Sequence, residues 1–461
     1  MFFYNVKEEV EVKKDEIYDA RKLGVLPMLV LGAQHMCAFF GATVLVALLS
    51  GLPVQTTLFC AGLCTLVFHY FFGKRIVPVF LGSSFAFLGG YAIVKECPTY
   101  AGLPLNDQLA YANGGAIIGA FIYVIVSIAI MVVGERRVLK YLPTVVTGPM
   151  VICIGMSLVP SAISNASNNW LLAIIAIAIV IAFSVWGKGV WGIASIFMGF
   201  VLSYAVAMAV HASGVGGNVW EIDLSSVVSA SWFGLPPFIF PKFGIEATLI
   251  MAPIYLATMM EHIGDMSAIS ATVGQNFMEE PGLHWTLLGD AVASIIASLL
   301  GGPPNTTYGE NTGVLALTKV YDPRVIRIGA AYAVIIGFMP KFAALINTMP
   351  AAIIGGVSFI LYGMIAIVGV RNIQEKKVDF SKSRNLIIAS IVIVCGLGFS
   401  DGVSFPVFGV DVTLTGLAIA AIVGILLNII LPGQDDECET VKADDDSNGI
   451  AMDALSEESN M

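Results

Sequence analysis

Long apolar runs, separated by short polar segments, dominate the chain and predict a bundle of membrane-spanning helices. Crossing a bilayer takes about 20 apolar residues, and the stretch from Tyr141 to Trp220 contains one Lys, Arg, Asp or Glu residue, Lys188. The pattern predicts fourteen elements, an even number that puts both chain ends on the same side of the membrane. These elements lie near residues 24–50, 54–73, 79–95, 110–134, 143–161, 170–187, 189–211, 246–272, 284–301, 303–320, 324–347, 350–370, 385–400 and 411–431.

Basic residues are distributed unevenly between the two sides that this division defines. When the first element starts in the cytoplasm, 20 of the 23 Lys and Arg residues fall on the cytoplasmic side, and Lys95, Lys242 and Lys341 fall outside. Cytoplasmic segments of membrane proteins carry an excess of Lys and Arg. We therefore expect a multi-pass protein of the cell membrane, embedded in the lipid bilayer, with cytoplasmic N- and C-termini.

The tenth predicted element is interrupted by the stretch 303–313, Pro-Pro-Asn-Thr-Thr-Tyr-Gly-Glu-Asn-Thr-Gly. Its two prolines oppose a continuous helix, its first glycine permits a tight turn, and a helix is predicted to start near Glu310. Residues 82–87, Gly-Ser-Ser-Phe-Ala-Phe, interrupt the third element in the same way. Non-helical backbone at membrane depth persists only where protein buries it or where it lines a cavity. Broken helices of this kind build the substrate site of many secondary transporters.

Both halves of the chain repeat the same spacing. The Gln-His pair at 34–35 stands 48 residues before Gly-Ser at 82–83, and the Glu-His pair at 261–262 stands 48 residues before Gly-Glu at 309–310. Since seven elements per half is an odd number, the second half must insert upside down, as in the inverted repeats of transporters. The predicted division is a cytoplasmic N-terminus (1–23), a first repeat (24–211), an extracellular loop (212–245), an inverted second repeat (246–431) and a disordered, acidic cytoplasmic tail (432–461).

The predicted eighth and ninth elements carry acidic residues in their interiors. Glu261 and Asp265 are four residues apart and share one face of the eighth element, and Asp290 lies alone in the ninth. Ionisable groups in the membrane are costly and usually face a cavity or a partner. The alternative is that the pair only holds helices together by hydrogen bonds. His262 and its first-half counterpart His35 are interpreted as packing or supporting groups.

Composition agrees with a membrane protein and excludes several functions. The chain is 57% hydrophobic and 12% charged, with a mean hydropathy of +0.85, whereas soluble domains carry roughly 25% charged residues. The net charge of −10 comes mostly from residues 434–461, which hold ten acidic residues and one lysine. No basic face indicates nucleic acid as a partner. The seven cysteines show no metal or redox spacing, and no nucleophile–base set stands out, so we expect no metal, no cofactor and no enzymatic activity.

The candidate groups suit a small planar solute. Carboxylates accept hydrogen bonds from ring N–H groups, and free backbone N–H groups at half-helix starts donate to ring carbonyls. Phe85 is placed to stack on such a ring, although most phenylalanines of this kind are core residues. A uracil-like ring presents both N–H and C=O groups. The chemistry alone leaves other rings of that type open.

These motifs together resemble those of the nucleobase–ascorbate transporter family. The run from Pro303 to Gly313, continuing to Thr318, resembles the family signature, and residues 34–35, 82–87 and 261–262 match its other hallmarks. The resemblance covers residues 24–431. It implies fourteen segments in two inverted sevens, with a core domain (segments 1–4 and 8–11) that moves against a gate domain (5–7 and 12–14). Segments 3 and 10 are implied to carry short β-strands, and homodimers are implied through the gate domains.

The implied activity is uracil import by proton symport, with Glu310 in the position that distinguishes uracil carriers within the family. One departure concerns Asp265, where the uracil carriers of the family have His, so the group that takes the coupling proton is in question. The predicted site residues are, for substrate, Glu261, Glu310, Phe85, Gly309, Ser84 and Tyr308; for proton coupling, Glu261 and Asp265; and in supporting roles, His262, Asp290, Gln34, His35, Asn311 and Thr318.

Other functions remain as alternatives. A xanthine or urate permease of the same family is the nearest, and Glu310 makes it less favoured. A channel or a substrate sensor on the same scaffold is a different class, but a channel needs a continuous polar pore that the sequence does not display.

Overall fold

The computed structural model describes residues 16–214, 220, 222–400, 402–407 and 410–433. Residues 401, 408 and 409 of the predicted second repeat lie outside the described residues, as do parts of three other predicted regions. These are the N-terminal residues 1–15, residues 215–219 and 221 of the predicted extracellular loop, and residues 434–461 of the predicted acidic tail.

Helices make up most of the described chain. The first half contains α1 (Val25–Ser50), α2 (Val54–Val67), β1 (Leu81–Ser83), α3 (Phe87–Glu96), α4 (Leu105–Val133), α5 (Glu135–Leu139), α6 (Thr144–Ser157), α7 (Val159–Ala166), α8 (Trp170–Trp186), α9 (Val190–Ile193) and α10 (Ser195–Ser213). The second half contains α11 (Ser225–Ser229), α12 (Ile245–Met251), α13 (Ile254–Val273), α14 (Leu283–Leu300), β2 (Asn305–Thr307), α15 (Gly309–Thr318), α16 (Pro323–Gly337), α17 (Pro340–Asn347), α18 (Ala351–Glu375), α19 (Ser383–Gly398), β3 (Val403–Val407), β4 (Val410–Leu414) and α20 (Gly416–Ile430).

Several of these helices are long and apolar enough to cross a membrane. Seven helical stretches in the described ranges meet that condition, and α16 with α17, bent by 83°, makes an eighth if the pair is one span. Three shorter apolar helices are α8, α19 and α20. The predicted mostly helical membrane fold is confirmed, and the count of fourteen segments stays a prediction.

Packing divides the helices into two groups. In the first, α4 lies against α12 and α14, and α16 lies against α1 and α2. In the second, α6 lies against α18 and α19, and α8 lies against α10 and α18. Glycines permit the close approach within each group, since a Cβ at Gly115 would lie 2.4 Å from Ala247 O and one at Gly155 would lie 2.5 Å from Tyr362 O.

A two-stranded antiparallel sheet joins the two halves of the chain inside the first group. β1 pairs with β2, with Leu81 opposite Thr307 and Ser83 opposite Asn305. All six strand residues are buried, and each strand is followed by a short helix, α3 or α15. The sheet therefore holds the starts of these two helices close together.

A β-hairpin near the C-terminal end of the described chain differs from the sequence prediction. Strands β3 and β4 pair antiparallel where the last helix was predicted to begin, near residue 411. That helix, α20, starts instead at Gly416, and the hydroxyl of Thr415 accepts a hydrogen bond from the Ala418 N–H at 3.1 Å. Val-Asp-Val-Thr-Leu at 410–414 alternates apolar and polar residues, the period of a strand.

Candidate functional site

The starts of α3 and α15 have backbone N–H groups without a side-chain cap. The residues that precede these helices, Ala86 and Tyr308, make no capping hydrogen bond through their side chains. The first turn of a helix leaves N–H groups that seek an acceptor and favour negative charge. Glu310 lies in the first turn of α15 and is part-buried. These two helix ends can therefore donate hydrogen bonds to a ligand between them.

Tyr308 locks the two strands against each other. Its hydroxyl donates to Ser83 O at 2.8 Å and accepts from the Thr43 hydroxyl at 3.3 Å. Its ring covers Gly82, where a Cβ would lie 2.4 Å from Cζ of the ring. The phenol is therefore engaged within the protein, and its contacts fix the relative position of β1 and β2.

Two carboxylates accept hydrogen bonds from β2 on its opposite faces. Asp265 Oδ2 on α13 accepts from the Thr307 hydroxyl at 3.0 Å, and Asp290 Oδ2 on α14 accepts from the Thr306 hydroxyl at 3.1 Å. Consecutive strand residues project to opposite faces, so these hydrogen bonds hold β2 between α13 and α14. Sequence reasoning missed both threonines. Their signal was two adjacent hydroxyl side chains in a stretch predicted to be non-helical and close to buried acids.

Glu261 lies one turn before Asp265, and its carboxylate has fewer hydrogen-bond partners. Its Oε2 atom is buried and has no hydrogen-bond partner among the described residues. A Cβ at Gly309 would lie 3.1 Å from Asp265 Oδ1, so this face of α13 approaches the start of α15. In the described part of the chain, no Lys or Arg forms an ion pair with Glu261, Asp265 or Glu310. Buried polar atoms normally have partners, so the Glu261 carboxylate is available to a ligand or a proton.

His262 and Asp290 form a fully buried pair. His262 Nε2 lies 3.1 Å from the hydroxyl oxygen of Thr286, and Nδ1 lies 3.4 Å from Asp290 Oδ2. The Thr286 hydroxyl also lies 3.1 Å from Leu283 O, so its single proton has two acceptors within reach. His262 Nδ1 and Asp290 Oδ1 are buried and have no hydrogen-bond partner among the described residues.

His35 is engaged in the corresponding place of the first half. Asn311 Nδ2 lies 3.1 Å from His35 Nδ1 and donates to His35 O at 3.2 Å, which ties α15 to α1. The neighbouring Gln34 has a buried side-chain oxygen without a partner among the described residues. Thr318 lies at the far end of α15 from Glu310, where its hydroxyl donates to Val314 O at 2.8 Å. The structure therefore brings His35, Asn311 and Gln34 near the helix start, but not Thr318.

Phe85 bridges the two helix groups. Its side chain is 5% exposed and packs edge-on against Tyr362 of α18, with ring centroids 5.9 Å apart and an interplanar angle of 81°. The adjacent Ser84 is buried, and its hydroxyl has no partner among the described residues. Within the described ranges, no group of three His, Cys, Asp or Glu side chains is arranged to hold a metal ion. The site is a cluster of acids, helix ends and one aromatic ring.

Solved structures with a similar fold are transport proteins. The transmembrane domain of the cyanobacterial bicarbonate transporter BicA superposes with a TM-score of 0.60 at 15% identity, covering 88% of this chain and 99% of that one. The murine anion transporter Slc26a9 in its inward-facing state gives 0.64 at 11% identity, covering 88% and 68%. At these identities the likeness shows the fold alone.

Sequence comparisons are more specific. The family model described as Permease family (Xan_ur_permease) matches residues 27–404. The uracil permease of Bacillus caldolyticus is 38% identical over 91% of this chain and 96% of its own length. The putative pyrimidine permease RutG of Escherichia coli is 35% identical, over 87% and 89%. These matches confirm the resemblance predicted from the motifs, and the chain belongs to this permease family.

Proposed function

We propose that the chain is a secondary active carrier that imports uracil together with protons by alternating access. The observation that carries the proposal is the buried Oε2 atom of Glu261, which has no hydrogen-bond partner among the described residues. The relatives named uracil permease support uracil as the solute. Membership of the permease family itself indicates that the chain is a membrane transporter.

The proposed substrate contacts follow from the chemistry of the ring. Uracil has two ring N–H groups and two carbonyl oxygens. The carboxylates of Glu261 and Glu310 accept from the N–H groups, and backbone N–H groups at Gly309 and the next residues donate to a carbonyl. Phe85 stacks on the ring face, the usual way in which proteins bind bases. Since Phe85 now packs against Tyr362, stacking requires the two helix groups to separate locally.

Asp265 and Glu261 are proposed to carry the coupling proton. A charged carboxylate is costly in the bilayer, so the carrier loaded with uracil crosses more readily with these acids protonated. Protonation precedes or accompanies uracil binding from outside, and release of both follows in the cytoplasm. Asp265 is bound by Thr307 at 3.0 Å, so a change in its protonation also changes how β2 is held. Asp290 is the second candidate for the group that takes the coupling proton.

The proposed architecture is fourteen segments in two inverted repeats, at 24–211 and 246–431. The first helix group, with the two strands, supports assignment as a core domain, and the second group supports assignment as a gate domain. The further proposals are homodimers through the gate domain and a multi-pass position in the cell membrane with both termini cytoplasmic.

The test is uptake of labelled uracil into proteoliposomes with an imposed pH gradient and a panel of unlabelled bases. The proposal predicts accumulation that unlabelled uracil prevents and that a protonophore abolishes. Preferential inhibition by xanthine or urate would reassign the solute. Equilibration without accumulation under any gradient would indicate a channel and contradict symport.

A further inference from the structure

A second cleft lies apart from the acid cluster. It has a volume of about 620 Å³ and opens where α1 and α16 begin and α2 ends. Its lining includes Tyr18, Tyr70, Arg75, Tyr321, Arg324 and Arg327. The charge distribution along the sequence assigns this end of the bundle to the cytoplasmic side. These three arginines and three tyrosines have no part in the proposed transport site.

Two of the arginines lie beside the same aromatic ring. Arg75 Cζ lies 5.2 Å from the Tyr70 ring centroid, and Arg327 Cζ lies 5.5 Å from it. In the described part of the chain, neither arginine forms an ion pair. Two like charges beside the same ring repel each other unless an anion offsets them. This pair therefore provides positive charge for a ligand.

Arg324 differs because it is already paired. Its Nη1 lies 3.0 Å from Asp19 Oδ1 and 3.1 Å from Asp322 Oδ2. Asp322 Oδ2 also accepts from the Ala20 N–H at 2.8 Å. These contacts hold the segment before α1 against the start of α16. Arg324 therefore shapes the wall, and Arg75 and Arg327 supply the free charge.

The wall of the cleft is fixed by backbone bonds. Ile17 N–H donates to Lys319 O at 2.9 Å, and Tyr321 N–H donates to Ile17 O at 2.8 Å. The Tyr18 hydroxyl donates to Val273 O at 2.8 Å, and its ring lies 5.3 Å from the ring of Tyr321. A ligand would thus enter a preformed cleft, which lowers the ordering cost of binding.

We propose that this cleft binds an anionic phosphate group between Arg75 and Arg327. Guanidinium groups match phosphate oxygens with paired hydrogen bonds, and basic pockets between helices on the cytoplasmic side bind anionic headgroups. The exposed apolar side chains of Val25, Leu26 and Phe71 lie on neighbouring elements and provide a lipid-facing surface. The phosphate has two possible sources, an anionic phospholipid headgroup or a soluble phosphate ester.

The experiment measures the thermal unfolding midpoint of the full chain in neutral detergent during titration with two probes. One arm adds phosphatidylglycerol, with zwitterionic phosphatidylcholine as its counterpart without net charge, and the other adds glycerol 3-phosphate, with glycerol as its uncharged counterpart. The variants are Arg75→Gln, Arg327→Gln and the double substitution. The control is Arg137→Gln, which removes an exposed cation on α5. Arg327→Lys retains the charge and guards against misfolding of the glutamine variants.

The proposal predicts a saturable rise of the midpoint in one arm, which identifies the source. The apparent affinity falls at least tenfold in the double variant and by less in each single variant, while Arg137→Gln matches the wild type. No saturable rise in either arm would overturn the proposal. An equal response of the wild type and the double variant, with both folded, would also overturn it. The readout does not depend on uracil, so failure of the transport proposal leaves this test intact.

Discussion

Gly82 is the position where the strand pair is least tolerant of change. A Cβ there would lie 2.4 Å from Cζ and 2.5 Å from Cε2 of the Tyr308 ring. The ring has little freedom to retreat, because its hydroxyl is bound to Ser83 O at 2.8 Å and to the Thr43 hydroxyl at 3.3 Å. Gly82→Ala must therefore displace the tyrosine or move β1 away from β2.

The cost follows from these contacts. Overpacking a well-filled interior costs about 1–3 kcal/mol, and loss of the hydrogen bond to Ser83 adds about 0.5–1.5 kcal/mol. Both strands lead directly into the helix starts proposed to bind uracil. The strain is relieved when the helix starts move out of the geometry that binds uracil. If restoring that geometry costs about 1.4–2.8 kcal/mol, uracil affinity falls by roughly tenfold to hundredfold. Isothermal titration with uracil in detergent, beside the thermal unfolding midpoint, measures both effects.

A matched glycine provides the control. Gly89 lies in α3, just beyond the same interruption, and a Cβ there would have no atom within 4 Å. Gly89→Ala should leave uracil affinity unchanged and raise stability by about 0.4–1 kcal/mol. Wild-type affinity and an unchanged midpoint in Gly82→Ala would refute the close contact and the coupling of the sheet to the site.

Three further predictions concern the site. Glu310→Ala should abolish uracil binding in titration calorimetry while the protein stays folded, and Glu310→Gln should only weaken it; wild-type affinity in the alanine variant would remove Glu310 from the site. Phe85→Ala should lose about 1–3 kcal/mol of uracil affinity, and a loss of stability with affinity intact would make Phe85 a packing residue. Asn311→Ala removes both contacts to His35 and should lower thermal stability by about 1–3 kcal/mol; an unchanged melting midpoint would speak against that tie.

Periodicity predicted the mostly helical membrane fold. The prolines at 303–304 and the glycine at 309 are local signals, because each residue limits its own backbone conformation. Helix α15 accordingly starts at Gly309, one residue from the predicted start. The same reasoning placed Glu261 and Asp265 on one helix face, because a spacing of four is close to one turn.

Contacts between residues far apart in the sequence could not be predicted from local patterns. Thr307 and Asp265 are 42 residues apart, and the strand partners Gly82 and Thr306 lie in different halves of the chain. No local pattern states which hydroxyl meets which acid, because that depends on how α13, α14 and β2 pack. The β3–β4 hairpin was missed for another reason. Its apolar residues continue into α20, so a hydropathy window joins the two elements.

The most direct test of the account compares two fluxes in the same proteoliposomes for wild type and Asp265→Asn. Uracil counterflow reports binding and crossing without net proton movement, whereas uptake driven by a pH gradient requires coupling. Proton coupling through Asp265 predicts both fluxes in the wild type. In Asp265→Asn it predicts counterflow with severely reduced gradient-driven accumulation. Normal gradient-driven accumulation by Asp265→Asn would contradict the assigned role and transfer the proton to another group, with Asp290 the next to test.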